Sequence, residues 1–292
     1  MSSTQKPLYG VLLILCAGFL LASHDGFSKY LTHIYPLIMI IWLRYLVQTL
    51  AMIVLFFPKM RWAILRTQRP WLQLLRGVSL LSISLLFIGG LRYIPLAEAT
   101  AVMFLAPLIV TVLSALFLDE NISRGQWIAV IVGFLGVLFI VRPGGVLFTP
   151  AILLPVSASF CFALYQLITR RLSSTDHAVT SNFLSGLLGV MLLSVLLPGQ
   201  YTLDVASMDL LFMLALGLLA MTAHILLSMA LKYSTAATLA PFTYAQIIFA
   251  GGVGYLSFGQ LPDALAMLGV LIISCSGLAV AYLQHHAQRK SR

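Results

Sequence analysis

A chain of 292 residues with 61% hydrophobic and only 9% charged side chains falls far short of the roughly 25% charged residues of a water-soluble domain. Its mean hydropathy is +1.02, so lipid is the expected solvent over most of its surface. The net charge of +9 would suit nucleic acid, but the basic residues lie in short gaps between apolar runs. Charges that set membrane topology are placed that way, and no nucleic-acid partner is expected.

In chain order, the runs long enough to span a bilayer cover 8–31, 36–57, 71–92, 95–118, 124–141, 150–171, 178–198, 207–232, 235–258 and 262–284. The first continues through His24 and Asp25 without a small-x-small cleavage site, so it reads as a retained helix and not a signal peptide. The separators are short and rich in Pro, Gly or charge: Pro58 to Pro70, Tyr93-Ile94-Pro95, Asp119 to Arg124, Arg142 to Gly145 and Pro198 to Asp209. Cys16, Cys161 and Cys275 all fall inside apolar runs with no paired spacing, so they read as small buried hydrophobes, and no metal is expected.

Lysine and arginine set the orientation. With the N-terminus inside, thirteen lie in cytoplasmic segments (Lys6, Lys59, Arg61, Arg66, Arg69, Arg76, Arg124, Arg170, Arg171, Lys232, Arg289, Lys290 and Arg292) and three in outer ones (Lys29, Arg92 and Arg142). That bias predicts an even number of spans and two cytoplasmic termini.

The chain also repeats itself. At an offset of 140, Leu91-Arg92-Tyr93 meets Leu231-Lys232-Tyr233, Phe104 meets Tyr244, Pro58 meets Pro198 and Gly77 meets Gly217. At 141, Lys29-Tyr30-Leu31 meets Arg170-Arg171-Leu172. The register predicts an all-α membrane protein of ten transmembrane helices built as two five-helix repeats, 8–141 and 150–284, with a basic cytoplasmic tail over 285–292. Five is odd, so the halves are inverted, an arrangement of alternating-access carriers with a site where the halves meet.

Residues 91–144 read LRYIPLAEATAVMFLAPLIVTVLSALFLDENISRGQWIAVIVGFLGVLFIVRPG. The stretch resembles the EamA repeat of the drug/metabolite transporter superfamily: "IPLAEA" opening the fourth helix, the mid-helix Pro107, then the paired glycines Gly133 and Gly136 before a closing "RPG". Two departures stand out. The Gly-Glu position reads Asp119-Glu120 in the first half and Gly259-Gln260 in the second, and the second half has Ile247 where the first has its proline. Members of this family export amino acids, or take up vitamins, S-adenosylmethionine or other metabolites. The resemblance thus implies a solute carrier and leaves its cargo open.

Charge inside a bilayer is costly and needs a reason. Asp25, Lys29, Arg44 and Glu98 lie within spans. Lys29, near a helix end, is expected to snorkel. Asp25 and Arg44 lie at depths of roughly 9 and 12 Å at 1.5 Å per residue, which predicts an outer-half cluster of Asp25, Arg44 and Glu98 joined by His24. A structural ion pair and a gate or substrate anchor both stand as readings; the repeat counterparts Tyr165, Gln166, Leu184 and Thr238 carry no charge, so the shared fold does not require these charges, which points toward the functional reading. Ser84, Phe104, Tyr165, Gln166, Asn182, His224, Tyr244 and Gln246 are the further candidates for a central cavity, with Trp42 beside them. Pro107, Pro155 and Pro241 can bend their helices. Pairs Gly133/Gly136 and Gly186/Gly189, and the run Gly251 to Gly254, would allow close helix approach.

No P-loop, HExxH or GxSxG motif occurs. No catalytic residue and no cofactor is therefore expected. The function expected is secondary transport or facilitation of a small polar or amphipathic metabolite, amino-acid-like and moving outward, by a monomer in the inner membrane. Uptake of a vitamin or nucleoside-like metabolite is the alternative within transport, and a lipid-modifying enzyme or scaffold the alternative of another class.

Overall fold

The computed structural model describes residues 7–117, 123–141, 149–173, 175–233, 239 and 242–290. Asp119-Glu120, Arg142 to Gly145, Thr238 and Pro241 lie outside the described residues. Apolar runs close into helices because lipid offers no partner to a backbone N–H or C=O. They form α1 (Pro7–Thr32), α2 (Leu37–Met60), α3 (Pro70–Leu91), α4 (Leu96–Met103), α5 (Ala106–Phe117) and α6 (Arg124–Val141). The chain continues through α7 (Leu153–Leu172), α8 (Ala178–Leu196), α9 (Ser207–Tyr233), α10 (Ala245–Phe258) and α11 (Ala264–Lys290), with short 3₁₀ turns at Arg61–Leu65 and Pro150–Ile152. Among the described residues there is no strand, and nine stretches are long and apolar enough to cross a membrane. The run expected over 235–258 is described as α10, a shorter apolar helix of 14 residues.

One expected span is broken. Pro107 cannot donate to the carbonyl of Met103, and α4 stops there: Phe104 N–H turns back to the carbonyl of Ala101 at 3.0 Å and Leu105 N–H to that of Val102 at 3.0 Å. In the second half α10 begins just after a turn at Tyr244, where Ile247 N–H reaches the Tyr244 carbonyl at 3.0 Å. That turn forms without a proline. Phe104 and Tyr244, equivalent at the offset of 140, mark the two breaks, and their rings meet at 4.7 Å.

Helix packing repeats itself across the halves. α1 lies on α9 as α7 lies on α3; α1 lies on α10 as α7 lies on α4 and α5; α2 lies on α9 as α8 lies on α3. α2 packs on α8, α4 on α10 and α6 on α11. Glycine permits the tightest of these. A methyl group on Gly136 would come within 3.0 Å of the Gly269 carbonyl, and one on Gly217 within 2.7 Å of the Arg44 carbonyl. The run Gly251 to Gly254 differs from expectation: Cβ atoms there would meet nothing nearer than 3.6 Å, so it does not set a close approach. Outward faces remain apolar, with Val54, Ile128, Val195 and Leu256 exposed, as a lipid-facing surface requires.

Candidate functional site

Where α1, α2, α3, α4, α5, α7, α9 and α10 converge, they surround a partly open cavity of about 390 Å³. Its wall is mainly aliphatic and aromatic. Met103 and Pro107 line it, so the break between α4 and α5 faces the cavity. Of the candidates drawn from the sequence, His24, Asp25, Arg44, Ser84, Phe104, Tyr165, Gln166, His224 and Gln246 are all on its wall. A second chamber of about 220 Å³ shares Tyr165, His224 and Leu227 with the first and runs on to Asn182, Arg76 and Asp176. Glu98 and Tyr244 are on neither wall. Trp42 turns to α8, donating from Nε1 to Ser194 at 2.8 Å.

The expected cluster of Asp25, Arg44 and Glu98 does not form as an ion-pair network. Asp25 accepts from its chain neighbour His24, Nδ1 to Oδ1 at 2.9 Å, and this is the one acid–base pair within 4.0 Å among the described residues. Arg44 instead donates from Nη2 to Ser84 at 2.6 Å and lies 4.1 Å over the ring of Tyr45. Equal depth in the membrane gives one coordinate. The direction each side chain leaves its helix gives the rest, and it separates them.

Lys29 does not snorkel. It is buried, and its ammonium donates to the carbonyls of Leu91 at 2.5 Å and Ile94 at 2.7 Å. The Leu91 carbonyl ends α3, where orphan acceptors and the negative end of the helix dipole welcome a cation, and the Ile94 carbonyl lies in the turn that follows. Glu98 is buried nearby with Oε2 lacking a hydrogen-bond partner.

Arg76 was absent from the candidates because it was counted among the cytoplasmic charges. It is buried to 2% exposure and is the hub of the second chamber. Nε donates to Thr169 at 2.9 Å, Nη1 to the Ser181 carbonyl and to Ser185, both at 2.6 Å, and Nη2 to Tyr165 at 2.6 Å and Asn182 at 2.8 Å. Two signals could have found it. Arg76 lies five residues inside the run 71–92, and Ser181, Asn182 and Ser185 form a polar stripe at helical spacing.

The chamber ends at a clasp. Asp176, in the turn after α7, accepts from Thr67, from Gln73 Nε2 at 2.7 Å and from Gln68 N–H at 3.1 Å. Burial alone would raise its pKa. Hydrogen bonds from Thr67, Gln73, Gln68 and Thr175 outweigh burial and hold the carboxyl below its ordinary 3.8.

The arrangement holds a set of polar groups around a partly open, largely apolar cavity, with a second chamber that shares part of its wall. That suits capture of an amphipathic solute, and among the described residues no group of three His, Cys, Asp or Glu could hold a metal ion.

The EamA-like transporter family matches twice, over residues 8–142 and 149–282. The chain is 30% identical over 305 residues to the riboflavin transporter of Vibrio cholerae, covering 100% of this chain and 98% of that protein. It is 29% identical over 232 residues to the S-adenosylmethionine uptake transporter of Rickettsia conorii, covering 77% and 76%, and 27% identical over 274 residues to the pseudopaline exporter CntI of Pseudomonas aeruginosa, covering 92% and 95%. A solved crystal structure is similar over 95% of this chain and 98% of its own, with a TM-score of 0.67 at 17% identity, a likeness of fold. The chain is a multi-pass membrane protein that belongs to the EamA-like transporter family, within the drug/metabolite transporter superfamily.

Proposed function

We propose that the chain is a secondary transporter or facilitator that carries an amino-acid-like or similarly amphipathic metabolite across the inner membrane by alternating access. The observation that carries this reading is the pair of adjoining chambers that share Tyr165, His224 and Leu227, walled by helices of both halves. In this reading the halves over 8–141 and 150–284 are inverted repeats with both termini cytoplasmic. Rocking one half against the other exposes the cavity to each side in turn. The chain works as a monomer and catalyses no bond-making step.

A wall that is mostly apolar holds the body of the solute, while His24, Asp25, Arg44, Gln166, His224 and Gln246 present polar groups to it. Outward movement is the first direction to assay. Uptake of a vitamin-like or nucleoside-like metabolite is a second reading, favoured by the riboflavin and S-adenosylmethionine transporters among the relatives.

The test is flux through the purified protein in liposomes, against labelled amino acids, vitamins and nucleosides, with and without a pH gradient. Movement of at least one class is expected. Folded protein that moves none of them overturns the reading. Replacing Asp25 by Asn should leave membrane insertion intact and cut transport about tenfold or more, since a charged hydrogen-bond partner of the wall is lost. Unchanged flux would return Asp25 to a packing role.

A further inference from the structure

Two arginines are buried along this path, in opposite states. All three guanidinium nitrogens of Arg76 donate to protein acceptors, in five hydrogen bonds at 2.6 to 2.9 Å. It shows what an arginine with a structural task looks like in this fold. Arg44 is as well buried, at 5% exposure, yet it makes a single hydrogen bond, from Nη2 to Ser84 at 2.6 Å. Its Nε is enclosed without an acceptor. No carboxylate comes within 4.0 Å of it among the described residues. Ser84 cannot supply more: its proton goes to the Leu80 carbonyl at 2.9 Å, and its oxygen already accepts from the Tyr45 hydroxyl at 3.0 Å as well as from Arg44.

A guanidinium held by one neutral hydroxyl and one ring face is short of acceptors, and such burial is expensive unless something completes the set. The candidate carboxylate on the same wall, Asp25, is engaged by His24 at 2.9 Å. Arg44 and Ser84 both line the 390 Å³ cavity, among Ile83, Phe87, Phe104 and Phe162.

We infer that Arg44 is the anion anchor of this cavity and that its cargo is a carboxylate-bearing metabolite with an apolar body. The carboxylate completes the donors of Arg44 that the protein leaves open, and the body lies against Phe87, Phe104 and Phe162. Planar, bidentate capture of a carboxylate is what guanidinium does better than ammonium. This assignment rests on the transport reading for its physiological meaning, but the binding chemistry stands or falls separately.

The test uses the full chain purified in detergent and two probe pairs that differ in the carboxylate alone: 3-phenylpropionate against 3-phenylpropanamide, and phenylalanine against phenylalaninamide. Affinity is read from the ligand-dependent rise of the unfolding midpoint. Both acids should bind roughly tenfold to a hundredfold more tightly than their amides, the range for a hydrogen bond to a charged group. Arg44→Gln should erase that preference. Arg44→Lys, which keeps the charge and loses the fork, should keep a weaker one and carries the test if the Gln variant does not fold. Equal binding of acid and amide by the wild type, no binding of either acid at millimolar concentration, or an undiminished preference in both variants overturns the anchor. Flux of the same probes in liposomes separates the two readings. Binding preference without flux leaves the anchor and removes the transport reading, whereas equal flux of acid and amide leaves transport and removes the anchor.

Discussion

The two ends of the helical body are tied at equivalent places by different chemistry. At one end the turn after α1 reaches the start of α9, where the Tyr35 hydroxyl donates to Asp209 Oδ2 at 2.8 Å and accepts from Ala206 N–H at 3.2 Å. At the other the turn after α7 reaches the start of α3, where Asp176 collects Thr67, Gln68 and Gln73. The offset of 141 that aligns Lys29 with Arg170 also aligns Tyr35 with Asp176 and Gln68 with Asp209. Acid and donor have therefore changed sides: the acid sits on the helix start at the Tyr35 end and on the turn at the Asp176 end. Duplication supplies the place for a tie, and each half has filled it independently. The Asp176 end is the more polar of the two and carries the second chamber behind its clasp, while the Tyr35 end is closed by a phenol and by Lys29 on the carbonyls of Leu91 and Ile94.

If the Asp176 end is held by its polar network, the largest loss should come from the network's hub. Arg76→Leu removes five hydrogen bonds and leaves Asn182 and the Ser181 carbonyl without their donor. We expect it to cost about 3 kcal/mol or more, read as a drop in the denaturation midpoint of purified protein. A loss under about 1 kcal/mol would mean that the network adds little to the packing of α3 on α7 and α8.

Asp176→Asn should come next. It keeps an acceptor oxygen but loses the charge, and a partly exposed carboxylate is screened by water, so about 1 kcal/mol is expected. The pH dependence follows from the sign of the shift. The folded pKa lies below the ordinary 3.8, so the stabilisation is complete above 3.8 and is lost as pH falls through the lower folded value. The gap between wild type and Asp176→Asn should thus be constant from pH 8 to 5 and close only below about pH 4. A gap that closes near pH 6 would place the titrating group elsewhere.

These residues show where sequence reasoning stopped. The apolar runs, the offset of 140 and the family motif carried the architecture, because spacing along a chain survives into helices. Phe104 and Tyr244 were aligned by that offset alone, and their rings meet at the helix breaks, tilted by 35°. Most of the polar residues of the cavity wall could be picked out as well, since a polar side chain in an apolar run has few places to go but inward. Partners were not legible. The depths of Asp25 and Arg44 agreed, but which neighbour each meets depends on rotation about the helix axis, which a run of apolar residues on every side leaves unspecified. Arg76 was lost for a related reason. Counting it as a topology charge treated the end of an apolar run as the membrane surface, when a long side chain some 8 Å inside, at 1.5 Å per residue, could be turned to the interior by the hydroxyls of α8.

The weakest perturbation should be Tyr35→Phe. The ring stays buried and only the hydroxyl is lost. Asp209 is in the first turn of α9, where the positive end of the helix dipole continues to favour its charge. A smaller fall in the unfolding midpoint than for Asp176→Asn is therefore expected. Its pH dependence should also be the reverse. Burial, and then the hydrogen bond to Asp209, push the Tyr35 hydroxyl above its ordinary 10.0. The tie is thus complete below pH 10 and is lost only as pH rises through the higher folded value, so the difference from wild type should be flat between pH 6 and 9. Should Tyr35→Phe prove the more damaging of the two, the ranking of the ends would invert. The phenol end, and not the clasp at Asp176, would then be the one that holds the halves together.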